Sequence, residues 1–125
     1  MARPSRLFAL VAIACAATWA PPMDTYAVAQ EPIGTCAQTS VISVGFRAGA
    51  SGSAIEYANG RVQIDYNFIE GIHNSHRGDV VRLCLTDIPI GCPPGDDRGR
   101  TYKATNLRTR ESWSAIDSEH SCGGA

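Results

Sequence analysis

The sequence predicts an all-β fold of five or six short antiparallel strands, a small curled barrel or a two-layer sandwich, stapled by disulfides. Three observations predict it. Apolar residues alternate with polar ones through most of the chain, and an Asn-Gly pair separates two such runs. Four cysteines also fall within a chain too short to bury a large core.

The elements begin only after a leader. Met1 to Arg6 is cationic and free of acids, and Leu7 to Ala20 is an uncharged apolar run of signal-peptide length, too short to span a bilayer. Ala27-Val28-Ala29 offers small residues where a signal peptidase reads, so residues 1–29 are expected to be removed before Gln30. Cys15, preceded by Ala12-Ile13-Ala14, opens a minor alternative in which a lipid anchors the chain. No transmembrane segment is expected in the mature chain, and its expected location is the periplasm or the exterior.

Residues 30–125 then form one domain. They carry nine Lys/Arg against eleven Asp/Glu, a balance that gives no basic stripe for nucleic acid. Thr39 to Arg47 reads as the first strand, with Ile42, Val44 and Phe46 inward. Ala48 to Ser53 is a loop of small residues. Ala54–Ala58 and Arg61–Tyr66 flank Asn59-Gly60, the signature of a two-residue hairpin turn. That turn would set Tyr57 opposite Val62 and Ile55 opposite Ile64, leaving Glu56 and Gln63 on the solvent face. Phe68, Ile69 and Ile72 suggest one helical turn over the end of the sheet.

Val80 to Asp87 is the next strand, with Val81, Leu83 and Leu85 inward and Cys84 outward. Ile88 to Arg98, with three prolines, is an irregular loop. Tyr102–Thr105 and Glu111–Ala115 make a last hairpin that buries Tyr102, Ala104 and Trp113. Cys36, Cys84, Cys92 and Cys122 allow three pairings. The favoured one clasps the local loop through Cys84–Cys92 and ties the ends of the domain through Cys36–Cys122.

The run Gly78-Asp79-Val80-Val81-Arg82-Leu83-Cys84-Leu85 leads to Cys92-Pro93-Pro94-Gly95-Asp96-Asp97-Arg98-Gly99-Arg100, followed by Tyr102. Asn106, Arg108-Thr109, Trp113, Asp117-Ser118, His120 and Cys122-Gly123-Gly124 complete the pattern. It resembles a group of small exported proteobacterial proteins with no assigned activity, over Cys36 to Ala125. The resemblance implies export and a four-cysteine framework, and it implies no reaction.

Site chemistry is sparse. Asp96, Asp97, Arg98 and Arg100, bracketed by Gly95 and Gly99, form the most distinctive loop, one suited to ion pairing or to meeting a partner. Two carboxylates fall short of the oxygen count calcium needs. His73, His76 and Asp79 could ligate zinc if their loop curled around it. Arg77-Gly78-Asp79 reads as an adhesion tripeptide or, more simply, as a turn before a strand. Asp117, Glu119 and His120 lack a placed nucleophile, so no catalytic residue is assigned, and no cofactor is implied.

The leading expectation is a non-enzymatic, exported binding module for a protein or cell-envelope component, using the Cys92–Arg100 loop, with the His73–Asp79 loop as an optional second contact. The alternatives are a small metal-dependent hydrolase at His73, His76 and Asp79, and a structural envelope or stress protein without a discrete ligand.

Overall fold

Six strands close on themselves, and closure removes the exposed edges that a single thin sheet would leave. The computed structural model describes residues 16–20 and 30–124; most of the leader, and Cys15 with it, lies outside the described residues. In chain order the elements are β1 (Cys36–Gly45), β2 (Ser53–Tyr57), β3 (Val62–Asp65), the single-turn helix α1 (Glu70–His73), β4 (Val80–Asp87), β5 (Thr101–Asn106) and β6 (Ser112–Ile116). They run β1-β2-β3-β6-β5-β4 around an antiparallel barrel. No helix among the described residues is long and apolar enough to cross a membrane.

The interior is filled by Val41, Ile55, Tyr57, Val81, Leu83, Leu85, Tyr102, Ala104 and Trp113, with Ile72 of α1 plugging one end. β4 and the β5–β6 hairpin follow the alternation read from sequence. β1 does not. A bulge between Val41 and Ser43 shifts its phase, so Val41 and Val44 turn inward and Phe46 stays exposed.

The Asn59-Gly60 hairpin also departs from expectation. Its register pairs Ile55 with Gln63 and Glu56 with Val62, one residue away from the expected pairing. Tyr57 N–H donates to the Arg61 carbonyl at 2.9 Å, so the loop is Ala58-Asn59-Gly60. Only Gly60 in that loop takes a positive φ (84°), as in a three-residue loop closed by a bulge. A one-residue slip exchanges the two faces of a strand. Gln63 therefore enters the barrel, while Val62 and Ile64 line a shallow groove on the outer wall.

Gln63 is tolerated inside because its amide is fully used. Its Oε1 accepts from Tyr57 O–H (2.7 Å) and Trp113 Nε1–H (2.9 Å), and its Nε2 donates to the carbonyls of Tyr102 (2.7 Å) and Ala115 (3.1 Å). β3 and β6 share a single register pair, Ile64 with Ile116. The Gln63 amide thus ties β3 to β5 and β6 from within, across the thinnest seam of the barrel. Burial pushes the Tyr57 hydroxyl far above its ordinary pKa, so it acts here as a neutral donor.

The cysteines pair Cys36–Cys84 and Cys92–Cys122, which corrects the expected Cys36–Cys122 and Cys84–Cys92. The barrel explains the change. β1 and β4 are neighbours whose register sets Cys36 directly opposite Cys84, Cα to Cα 4.0 Å. The long loop after β4 does not fold back on its own strand. It crosses to the tail beyond β6, where Cys122 N–H donates to the Arg98 carbonyl and Cys92 meets Cys122, Cα to Cα 5.3 Å. Both bridges sit toward the barrel end that carries the hairpin loop, the loop after β4 and the tail.

Candidate functional site

The loop between β4 and β5 is built as a braced arm. Asp96 N–H donates to the Pro93 carbonyl at 3.0 Å, with Gly95 at φ 80° supplying the turn. Asp96 then receives a two-pronged contact from Arg98, Nε to Oδ1 at 2.9 Å and Nη2 to Oδ2 at 2.8 Å. Asp96 Oδ2 also accepts Gly123 N–H (2.9 Å), and Arg98 Nη2 donates to the Gly124 carbonyl (3.2 Å). These hydrogen bonds, the guanidinium first, hold the Asp96 carboxyl well below the usual carboxylate range. On the far side of the loop, Asp117 Oδ1 accepts the N–H groups of Gly99 (2.9 Å) and Arg100 (3.1 Å). Gly99 packs so close to the tail that a Cβ there would lie 3.0 Å from Ser121 Cα.

The arm forms one wall of a cleft of about 570 Å³. Pro93, Asp97 and Arg100 line that wall, and Glu31 and Arg61 line the other. Arg61 Nη2 donates to Glu31 Oε2 at 2.6 Å, and Tyr102 O–H donates to the same oxygen at 3.1 Å. Arg61 also lies over the Tyr102 ring, 4.6 Å from its centre. Burial raises the Tyr102 hydroxyl above its ordinary pKa, which keeps it a donor. Arg100 is held differently. Its side chain is only 15% exposed, yet its carboxylate partner Asp97 is 71% exposed and 3.3 Å away. The cleft thus carries one tight guanidinium–carboxylate pair and one loose one.

Of the four loop residues singled out by sequence, Asp97 and Arg100 present themselves to the cleft. Asp96 borders it while bound to Arg98, and Arg98 faces the tail. Sequence reasoning missed Glu31 and Arg61. Glu31 follows the expected cleavage point with no pattern around it, and Arg61 reads as an ordinary hairpin residue.

The structure disperses His73, His76 and Asp79. Asp79 is buried under Arg108, which donates Nε to Oδ1 (2.7 Å) and Nη2 to Oδ2 (2.9 Å). Asn106 Nδ2 and His76 N–H complete its shell at 2.9 and 2.8 Å. Arg108 above all pulls the Asp79 carboxyl far below the usual range. The carboxylate is thus committed to clamping the turn, and Gly78, at φ 91°, donates to the Val41 carbonyl. Arg77-Gly78-Asp79 is that turn. Among the described residues no group of three His, Cys, Asp or Glu side chains could hold a metal ion.

His73 pairs instead with Ser53, Nε2 to Oγ 3.1 Å, an arrangement that superficially suggests a nucleophile and its base. Hydrogen-bond accounting excludes that role. Ser53 is fully buried, spends its proton on the Asn67 carbonyl (2.9 Å), and accepts Ile69 N–H at 2.7 Å. His73 Nε2 also faces the Gly52 carbonyl at 3.2 Å, so Nε2 must carry the proton and the hydroxyl is no nucleophile. Near the C-terminus Asp117 is engaged by the arm and Ser118 Oγ donates to the His120 carbonyl.

One further placement narrows the expected binding face to a single loop. The His73–Asp79 loop precedes β4 and the Cys92–Arg100 loop follows it, so the eight residues of β4, seven steps of ~3.3 Å or about 23 Å, separate them. The two loops lie at opposite ends of the barrel. Comparison with protein-family models, with curated proteins and with solved structures returned no match for the chain.

Proposed function

We propose that the chain is exported, by removal of residues 1–29, and acts outside the cytoplasm as a non-enzymatic binding module whose ligand enters the Glu31–Arg61–Arg100 cleft. The cationic-then-apolar leader and the even cysteine count of the rest support export. The observation that carries the binding reading is Arg100. Asp117 anchors its backbone, its side chain lies mostly buried along the cleft, and its carboxylate partner is solvent-facing and easily displaced. A planar guanidinium in that state suits the paired oxygens of a carboxylate or phosphate on a protein or envelope component.

The experiment places a photo-crosslinking residue at position 97 and irradiates intact cells. A discrete adduct that excess unlabelled domain removes, and that Arg100→Ala abolishes, is the expected result. The same adducts from a crosslinker at Lys103, on the outer face of β5, would refute a cleft-specific partner.

A further inference from the structure

The opposite end of the barrel carries a second surface, built from aromatic rings. Phe68 lies parallel to the His73 imidazole, centres 4.0 Å apart and planes 6° from parallel. Phe46 leans on the same imidazole at 4.9 Å and 40°. Phe46, Tyr66 and Phe68 are nevertheless 47%, 64% and 62% exposed. Arg47 covers Tyr66, with its guanidinium carbon 3.7 Å from the ring centre. A small β-domain ordinarily turns such rings inward, and a cluster left outside marks an interaction surface.

The cluster is rigid. Ser53 Oγ and the Gly52 carbonyl pin the imidazole between the two phenyl rings, and both belong to the wall of the barrel. α1, which carries His73, rests on Trp113 so closely that a Cβ on Gly71 would lie 2.7 Å from the indole. Preorganisation of this kind lowers the entropic cost of binding a ring-shaped ligand. Polar groups stand beside the rings: Asp65 Oδ1 fixes Asn67 through its N–H (2.7 Å) and its amide (2.9 Å), and Glu70 is exposed.

We propose that this platform binds a neutral polysaccharide, stacking the C–H face of a sugar ring on the outer face of Phe68 and meeting its hydroxyls with Asp65 and Asn67. Charge decides the ligand class. Asp65 and Glu70 would repel nucleic acid or an anionic lipid surface, and the nearby cation, Arg47, is already spent on Tyr66. A sugar ring has an apolar face and a rim of hydroxyls that both donate and accept. It therefore matches a rigid aromatic plane edged by carboxylate and amide groups. The inference is independent of the cleft at the other end.

The test is affinity electrophoresis of the mature domain in gels containing hydroxyethylcellulose or glycol chitin, with calorimetric titration of cellohexaose and chitohexaose. Retardation in at least one gel is expected. Phe68→Ala should weaken binding about tenfold or more, Phe68→Trp should retain it, and Lys103→Ala should leave it unchanged. Urea unfolding followed through Trp113 fluorescence confirms that each variant is folded. Migration unaffected by either glycan, or retardation that survives Phe68→Ala, overturns the proposal. So does Phe68-dependent binding to phosphatidylglycerol vesicles in place of the glycans.

Discussion

Replacing Gln63 by Leu tests the reading of the barrel interior most directly. The substitution keeps the volume close and removes an amide that accepts two hydrogen bonds and donates two. The acceptor side dominates the cost, because Tyr57 O–H and Trp113 Nε1–H are buried and have no water to turn to. An orphaned buried donor costs about 1–3 kcal/mol, so two cost about 2–6. The added apolar contact of leucine returns about 1 kcal/mol, leaving an expected loss of about 1–5 kcal/mol. For a domain stable by about 5–15 kcal/mol, that loss is large but measurable.

Urea unfolding, read by far-ultraviolet dichroism and by Trp113 fluorescence, supplies the free energies. The decisive variant is Tyr57→Phe combined with Gln63→Leu. Tyr57→Phe alone should cost about 1 kcal/mol through its lost hydrogen bond. In the double variant it should instead restore about 1–2 kcal/mol, because it removes one of the two orphaned donors. A loss below about 1 kcal/mol for Gln63→Leu, or simple additivity in the double variant, would refute the claim that this amide holds the β3 seam.

Three more outcomes follow from particular residues. Asp79 has a depressed pKa in the folded state, so its contribution is present above the ordinary carboxylate pKa of about 4 and fades as pH falls below it. Asp79→Asn should be less stable at pH 7 and lose less between pH 5 and pH 2, as urea midpoints will show; an unchanged acid slope would contradict the Arg108 clamp. Replacing Cys92 and Cys122 by Ser opens a bridge that spans 30 residues and should cost roughly 3.6 kcal/mol in the chain-entropy model. Amide exchange should then quicken at positions 122 and 123 while Gly99 and Arg100, held by Asp117, stay protected; equal loss at all four would refute the hold of Asp117 being independent of the bridge. Arg110 sits at φ 63°, and Arg110→Gly should raise stability by about 0.5–1 kcal/mol in the same urea assay.

The fold class was legible in the sequence because β4, β5 and β6 alternate cleanly, and because so few strands cannot cover a flat sheet. The failures share one cause: long-range pairing overrode a local signal. Asn59-Gly60 is compatible with a two- or a three-residue loop, and the choice came from what the barrel does with Gln63 on β3, a residue whose polarity argued for solvent. The bulge in β1 likewise depends on β2 and β4 pairing with one strand in different phases, which no local window contains. Cys36 met Cys84 because β1 and β4 are neighbours, and strand order is invisible to spacing. The site was half legible. Asp97 and Arg100 stand out in a loop of unusual composition, whereas Glu31 and Arg61 matter only through where the barrel brings them.

The placement of both disulfides toward one end has a consequence for how the domain comes apart. The cleft end is cross-linked, whereas the other end is closed by the Asp79–Arg108 clamp, α1 and the aromatic cluster, none of them covalent. Partial opening should therefore travel in one direction, from the aromatic end inward, with the cross-linked strands acting as a seed from which the barrel zips shut again. Against a protease, that directionality confines transient exposure to one rim. A glycan seated on that rim would guard the site where cleavage begins, joining ligand occupancy to the lifetime of the protein.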